Sequence, residues 1–169
     1  MSMSFAGKTA VVGIGATEFS KKSGRSTLRL AVECCDAAIS DAGLAPGQID
    51  GMVGFTVEEN HEIDVARCLG IKELTHFSRI HHSGGAACGT IHQAAMAVAT
   101  GSANYVVGWR ALNGRSGQRY SDGVSGDIVT SDLVHWGYYM PFGLLTPASW
   151  VAMFTQRYMH ETGCKTTDL

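Results

Sequence analysis

Two kinds of apolar pattern alternate along the first 109 residues. Short apolar runs, which predict buried strands, occupy residues 9–14, 50–55, 75–80 and 103–109. Between them, apolar positions recur every three to four residues, which predicts helices at 27–42, 62–70 and 85–100. The resulting order, βαβαβαβ, predicts an α/β fold with a mainly parallel sheet.

Capping residues set the ends of these helices. Ser26 is a typical N-cap for the first helix, and Gly43 follows its last turn. Gly70 and Gly101 are placed to end the second and third helices. The third helix is rich in alanine with little polar surface, which predicts a helix buried on all sides.

The pattern changes after residue 109. A polar, Gly- and Ser-rich stretch leads to a helix with Thr146 as its cap, Pro147 in its first turn and Gly163 at its end. Long irregular excursions from a compact core are usually functional loops. We therefore expect two regions, an α/β region at 1–109 and a loop region with a helix over the active site at 110–169.

Composition excludes several classes of protein. The 169-residue chain is 45% hydrophobic with a net charge of -2, which argues against a nucleic-acid partner. Its apolar runs are too short for a membrane span or a signal peptide. The lack of a signal-peptide pattern makes a cytoplasmic location the expectation. Five cysteines without regular spacing argue against a disulfide framework.

The glycines after the first strand suggest a dinucleotide-binding loop at first sight. Gly13 and Gly15 are present, but Glu18 occupies the position of the third glycine. Its carboxylate would repel a pyrophosphate. The motif is better interpreted as a tight turn.

The stretch IHHSGGAACG, residues 80–89, carries the candidate chemistry. His81 and His82 are adjacent at a strand end and point to opposite faces, so they cannot share one metal ion. One of them can act as an acid or base, and we assign this role to His82. Ser83, Gly84 and Gly85 precede the third helix, whose free N–H groups can polarise a thioester or oxyanion oxygen.

Cys88 and the arginines of the loop are open to two interpretations each. Cys88 lies about one turn inside the helix, which favours a small buried core residue over a nucleophile. Arg110 and Arg115, with Arg119, can contact phosphate groups of a substrate, or they belong to a solvated loop.

These motifs together resemble the N-terminal half of the thiolase superfamily. The similarity is strongest to the sterol-carrier-protein-x/lipid-transfer-protein branch and its actinobacterial thiolase-like retro-aldolases of steroid side-chain degradation. It is carried by VGIGATEFSKKSGRSTLRLAVECCDAAISDAGLAPGQIDGMVGF and GGAACGTIHQAAMAVATGSANYVVGWRALNGRSG. The resemblance implies one half of an αβαβα layered fold, so the chain is expected to be a fragment that is active only with a C-terminal half.

In this superfamily a nucleophilic cysteine precedes the buried helix. Counted back from Gly101 by the family's spacing, that position is Gly84. Without a thiolate no acyl-enzyme can form, which agrees with the retro-aldolases. The resemblance implies cleavage of a 17-hydroxy steroid C22-CoA side chain to a 17-keto steroid and propionyl-CoA.

The resemblance also implies partners. These are an acyl-CoA substrate, a second copy of the chain and an OB-fold protein of the DUF35 type, with CoA as part of the substrate and no tightly bound cofactor or metal. The main acid and base residues are expected in the C-terminal half. The alternatives are an acyltransferase that uses Cys88 after a register shift, and a non-catalytic lipid- or acyl-CoA-binding subunit.

Overall fold

A computed structural model of the chain describes residues 5–55, 58–80, 87–114 and 137–169. Two compact units are present, residues 1–117 and 118–169. The helices and strands of the first unit are α1 (Thr27–Asp41), β1 (Gly51–Phe55), α2 (Glu62–Leu69), β2 (His76–Ile80), α3 (Ala87–Ala99) and β3 (Val106–Gly108). The second unit contains α4 (Pro147–Thr162).

The strands of the first unit form a parallel sheet in the order β2-β1-β3. Gly51 in the central strand is paired with His76 on one side and with Val106 on the other. All five residues of β1 are buried, as expected for a central strand of a parallel sheet. The predicted α/β class and the parallel sheet are confirmed.

One hydrophobic cluster joins the sheet to α1 and α2. In α1 the side chains of Ala31, Cys35 and Ile39 are buried at helical spacing. The Ser26 hydroxyl accepts a hydrogen bond from the Arg29 N–H at 3.2 Å, which confirms the predicted cap. The buried residues of the cluster are Leu30, Ala31, Cys35, Met52, Val65, Ala66, Trp109 and Ala111.

The prediction of a buried strand at 9–14 was wrong. These residues form no strand, and Val11 and Ile14 are each 75% exposed. The segment pairs with none of the three strands described and instead lies along α1. There the Ile14 N–H donates to the Asp41 carboxylate at 2.9 Å, and Gly13 lies against the backbone of Ala38.

The prediction that the alanine-rich helix is buried on all sides was also wrong. α3 packs on all three strands, yet Ala97 is its one buried residue and Ile91 is 64% exposed. The small side chains bring the helix close to the sheet, and away from the sheet the Phe5 ring contacts His92 edge-on at 5.9 Å but leaves Ile91 exposed. An apolar helix left open in this way is typical of an interaction surface.

Asp50 connects the starts of β1 and β3. Its carboxylate accepts hydrogen bonds from the Tyr105 N–H at 2.8 Å, the Asn104 N–H at 2.9 Å and the Asn104 Nδ2 at 2.7 Å. Burial raises the pKa of Asp50, but these hydrogen bonds outweigh it and the pKa lies below its ordinary value. The carboxylate therefore stabilises the fold in its charged form.

We expect Asp50→Asn to lower the free energy of unfolding by about 1 kcal/mol at neutral pH, because the carboxylate is partly exposed. The folded-state pKa is depressed, so this contribution is present above the unfolded-state pKa and is lost as the pH falls through the folded-state value. Thermal unfolding should show the full difference at pH 7 and its progressive decline as the pH falls below about 4, the ordinary pKa of an aspartate. A difference that persists at low pH, or an equal loss in the exposed-site control Asp36→Asn, would contradict the assignment.

The described part of the second unit consists of short turns and α4. The Thr146 hydroxyl caps α4 by accepting from the Ser149 N–H at 3.4 Å, and Gly163 ends it with φ 72°. Val151, Phe154 and Tyr158 are exposed along α4. In the described residues, no helix has both the length and the apolar character needed to cross a membrane.

Candidate functional site

The predicted active-site turn connects β2 to α3. Ile80, the last residue of β2, and Ala87, the first residue of α3, are placed by the structure. The candidates His81, His82, Ser83, Gly84 and Gly85 lie outside the described residues, as does Arg115. Of the predicted site residues, Arg110 is the one that the structure describes.

A cavity of about 740 Å³ opens beside the start of α3. Ala87 and Thr90 in the first turn of α3 line it, and Ile91, Ala94 and Val98 continue its wall along the helix. The other walls come from segment 8–13, one face of α1, Phe55 and residues 104–110. Its volume is in the range of small-molecule sites.

The lining of this cavity is mostly apolar, and its formal charges are positive. Lys8 and Arg110 contribute the two cationic side chains, and none of the described lining residues is acidic. A ligand with a large apolar body and a negatively charged portion would match this combination.

The extended segment after β3 determines the direction of the Arg110 side chain. Trp109, Ala111 and Asn113 are buried, whereas the residues between them are exposed. Successive side chains therefore alternate between two faces of the segment, as in an extended chain. The guanidinium carbon of Arg110 lies 5.3 Å from the centre of the Phe55 ring, a cation–π contact. Both residues line the cavity.

A buried carboxylate lies behind the same segment. Glu58 is 2% exposed, and one of its oxygens accepts the Ala111 N–H at 2.6 Å. Its other oxygen accepts the Asn60 Nδ2 at 2.5 Å and the Asn60 N–H at 3.3 Å. Both carboxylate oxygens of Glu58 are thereby paired, as a buried carboxylate requires.

Arg79, near the end of β2, fixes the segment that carries Glu58. Its Nη1 donates to the Glu58 carbonyl at 3.2 Å, and its Nη2 donates to the Asn60 carbonyl at 2.6 Å. Its Nε donates to the Glu62 carboxylate in α2 at 3.0 Å. A Cβ at Gly54 would occupy the place of that carboxylate oxygen, so the pairing depends on glycine there.

The exposure of Cys88 differs from the predicted burial. It was expected to be a small buried core residue, but it is exposed and is the second residue of α3 as described. It does not line the cavity, because Ala87, Ile91 and Ala94 present a different face of the helix.

Cys35, by contrast, is a buried residue of the hydrophobic cluster. A hydrogen bond with Cys34, followed by burial, raises the pKa of Cys35 far above its ordinary value. Cys35 is therefore a core thiol, and all five cysteines are free. Within the described ranges, no cluster of three or more His, Cys, Asp or Glu side chains is arranged to hold a metal ion.

Sequence patterns do not reveal the residues of this buried network. Glu58, Asn60 and Glu62 fall in an acidic stretch that is typical of a solvated turn. Their burial is a property of the packed chain. The one signal in the sequence is an arginine near the end of an apolar strand, where even a half-buried guanidinium needs acceptors.

Comparison with known proteins identifies related sequences. Over 164 residues, or 96% of its length, the chain is 57% identical to a steroid side-chain-cleaving aldolase of Thermomonospora curvata. Over the same share it is 52% identical to a 17-hydroxy-3-oxo-4-pregnene-20-carboxyl-CoA lyase of Mycobacterium tuberculosis. The chain spans 42% of the length of each relative. No family model matches.

A solved structure has the same fold. The chain superimposes on the structure of an Ltp2-ChsH2(DUF35) aldolase with a TM-score of 0.71 and 56% identity, covering 92% of this chain and 39% of the other. The fold is thus that of the matching part of this aldolase. The expected resemblance to aldolases of steroid side-chain cleavage is supported, whereas the position of the match in the N-terminal half of a thiolase fold stays a prediction.

Proposed function

We propose that this chain is part of a CoA-thioester retro-aldolase, a carbon–carbon lyase. Its substrate would be a 17-hydroxy steroid with a C22-CoA side chain, and its products a 17-keto steroid and propionyl-CoA. The observation that carries the proposal is 52–57% identity across 96% of the chain to two proteins named for this cleavage.

The reaction places defined demands on the protein. A base removes the proton of the 17-hydroxyl group, and the bond between the β-carbon and the α-carbon of the thioester breaks. Its electron pair moves to the thioester as an enolate, while the β-carbon becomes the ketone. The α-carbon then takes up a proton to give propionyl-CoA. The enzyme must therefore supply a base, enolate stabilisation and a proton donor.

Enolate stabilisation is assigned to the turn before α3. The backbone N–H groups at Gly84 and Gly85 would donate to the thioester oxygen, with the positive end of α3 behind them. His82 is the candidate acid or base in this chain. Glycine at position 84 leaves no thiolate there, which agrees with a reaction that needs no acyl-enzyme.

The cavity at the same helix end fits the two parts of such a substrate. Its apolar walls suit the steroid, and its cationic side chains suit CoA phosphates. We assign Arg110, with Ser83 and Arg115 from the neighbouring loops, to the CoA portion. CoA enters as part of the substrate, and no tightly bound cofactor or metal is part of the proposal.

The proposed enzyme is larger than this chain. We infer that residues 1–109 form an α/β half and residues 110–169 a loop region over the site, followed by a C-terminal half with the main acid and base residues. The chain's 42% share of its relatives' length supports a longer protein. A homodimer with a DUF35-type OB-fold partner, located in the cytoplasm, completes the proposal, since DUF35 is part of the name of the matched aldolase structure.

The decisive experiment is an assay of the full-length protein with its DUF35-type partner. Incubation with a 17-hydroxy steroid-22-oyl-CoA should release propionyl-CoA and the 17-keto steroid in equal amounts, measured by mass spectrometry. No release would refute the lyase. Binding of the thioester without turnover would instead indicate a non-catalytic acyl-CoA-binding subunit.

An acyltransferase that uses Cys88 is the second candidate, and the exposure of Cys88 near the start of α3 favours it. Against it, Cys88 does not line the cavity. We expect Cys88→Ser to change kcat/KM for propionyl-CoA release by less than about twofold, within the range of a neutral surface substitution. Covalent acyl labelling of the wild-type protein that Cys88→Ser abolishes, together with lost turnover, would establish the acyltransferase.

A further inference from the structure

The buried carboxylate of Glu58 has no role in the proposed chemistry, yet its position is costly. A charge at 2% exposure loses its hydration and must recover it from protein donors. Three N–H donors converge on it, two of them from Asn60 and one from the Ala111 backbone. A well-packed apolar residue would serve stability as well, so the carboxylate calls for another explanation.

The hydrogen bond from the Ala111 N–H connects Glu58 to the segment that lines the cavity. The Ala111 N–H belongs to the peptide bond that follows Arg110, and it is held at 2.6 Å by Glu58. Burial of Trp109 and Ala111 on the same side directs Arg110 to the other side, over the Phe55 ring at 5.3 Å. The backbone on both sides of Arg110 is thereby fixed.

Arg79 makes this arrangement rigid from behind. It donates to the carbonyls of Glu58 and Asn60, so the backbone that carries the carboxylate cannot shift independently of β2. A binding side chain is effective when the groups behind it are locked by packing and hydrogen bonds.

We propose that Glu58 is a positioning residue that holds Arg110 over the cavity for contact with an anionic group of the ligand, the phosphates of CoA. This inference rests on the proposed function, because it takes Arg110 as a CoA contact. Glu58 touches no substrate itself and acts through the Ala111 N–H.

A double-mutant cycle in the full-length protein with its DUF35-type partner tests the proposal. Coenzyme A is the probe, and its Kd is measured by calorimetry for Glu58→Gln, Arg110→Ala and the double variant. We expect Arg110→Ala to raise the Kd about tenfold, as for loss of a charge-assisted hydrogen bond. Glu58→Gln should raise it about threefold to tenfold, and the double variant should bind no more weakly than Arg110→Ala alone.

Control variants distinguish a specific effect of Glu58 on Arg110 from a general effect of the charge change or of misfolding. Glu59→Gln makes the same charge change at the exposed neighbouring residue and should leave the Kd unchanged. If Glu58→Gln does not fold, Glu58→Asp keeps the charge but withdraws it from the Ala111 N–H, and the same effect on the Kd is expected. KM for the acyl-CoA should rise in each folded variant at Glu58 or Arg110, with kcat less affected, and should not change in Glu59→Gln.

Additive effects in the cycle, or an unchanged Kd in a folded Glu58 variant, would overturn the positioning role. The proposed function fails separately, through absence of propionyl-CoA release by the wild-type protein. Because the Kd for coenzyme A is measured without turnover, the two failures are distinguishable.

Discussion

Replacing Gly15 with alanine should lower the free energy of unfolding by about 3 kcal/mol or more, the upper end of the range for overpacking. A Cβ at Gly15 would lie within 3.0 Å of backbone atoms of Cys34, Ala37 and Ala38 in α1. Backbone atoms in the middle of a helix cannot move aside as a flexible side chain does. The segment must therefore leave α1, or α1 must deform.

Gly47→Ala is the matched control for this substitution. A Cβ at Gly47 would meet no atom within 4 Å, and its φ is not in the left-handed region, so the unfolding temperature should change little. Thermal unfolding of the two variants, measured side by side in the full-length protein, gives the comparison. Equal unfolding temperatures would show that residues 9–15 do not pack on α1 as described.

The helices of the first unit could be predicted because their signals are local. Ser26 caps α1, and Gly70 and Gly101 adopt positive φ after α2 and α3, as the sequence indicates. Each of these signals depends on the residue itself and on its neighbours along the chain. The same holds for the strands β1 and β2, whose apolar runs lie between turn residues.

The failed strand at 9–14 shows what local signals omit. Its apolar, β-branched pattern is typical of a strand, but a strand also needs an edge that can accept it. Gly13 and Gly15 allow the segment to approach α1 closely instead. The sequence does not show whether such a segment will pair with the edge of a sheet or pack on a helix.

Burial of α3 and Cys88 was mispredicted for a different reason. An alanine-rich composition indicates that other elements can pack closely on a helix. It does not indicate which elements do so. In the described residues one face of α3 meets the sheet, whereas Ile91 beside the cavity and Cys88 outside it are both exposed. The covering surface cannot be derived from the pattern of the helix itself.

The candidate site was predicted only in part. Arg110 was identified from its basic, polar loop, and the structure places it at the cavity. The network of Glu58 and Arg79 was missed, because acidic residues in a turn normally face water. Residue types indicate available chemistry, whereas the pairing of buried charges emerges from contacts between distant segments.

Filling the cavity gives the sharpest test of where the substrate lies. Ala94 lines the apolar wall of α3, and Ala94→Phe would project an aromatic ring into the 740 Å³ cavity. If the steroid occupies this space, KM for the steroid-CoA should rise by more than about tenfold, since losing contact with two methylene groups costs about that factor. The Kd for free coenzyme A, which has no steroid, should change much less.

Gln93→Phe is the matched control, because Gln93 neighbours Ala94 on α3 but does not line the cavity. Steady-state release of propionyl-CoA gives KM for both variants in the full-length protein with its partner, and calorimetry gives the Kd for coenzyme A. An unchanged KM in a folded Ala94→Phe variant would place the steroid outside this cavity. An equal rise in KM and in the Kd for coenzyme A would mean that the ring disturbs the CoA portion instead, so the two parts of the ligand are resolved by the same pair of measurements.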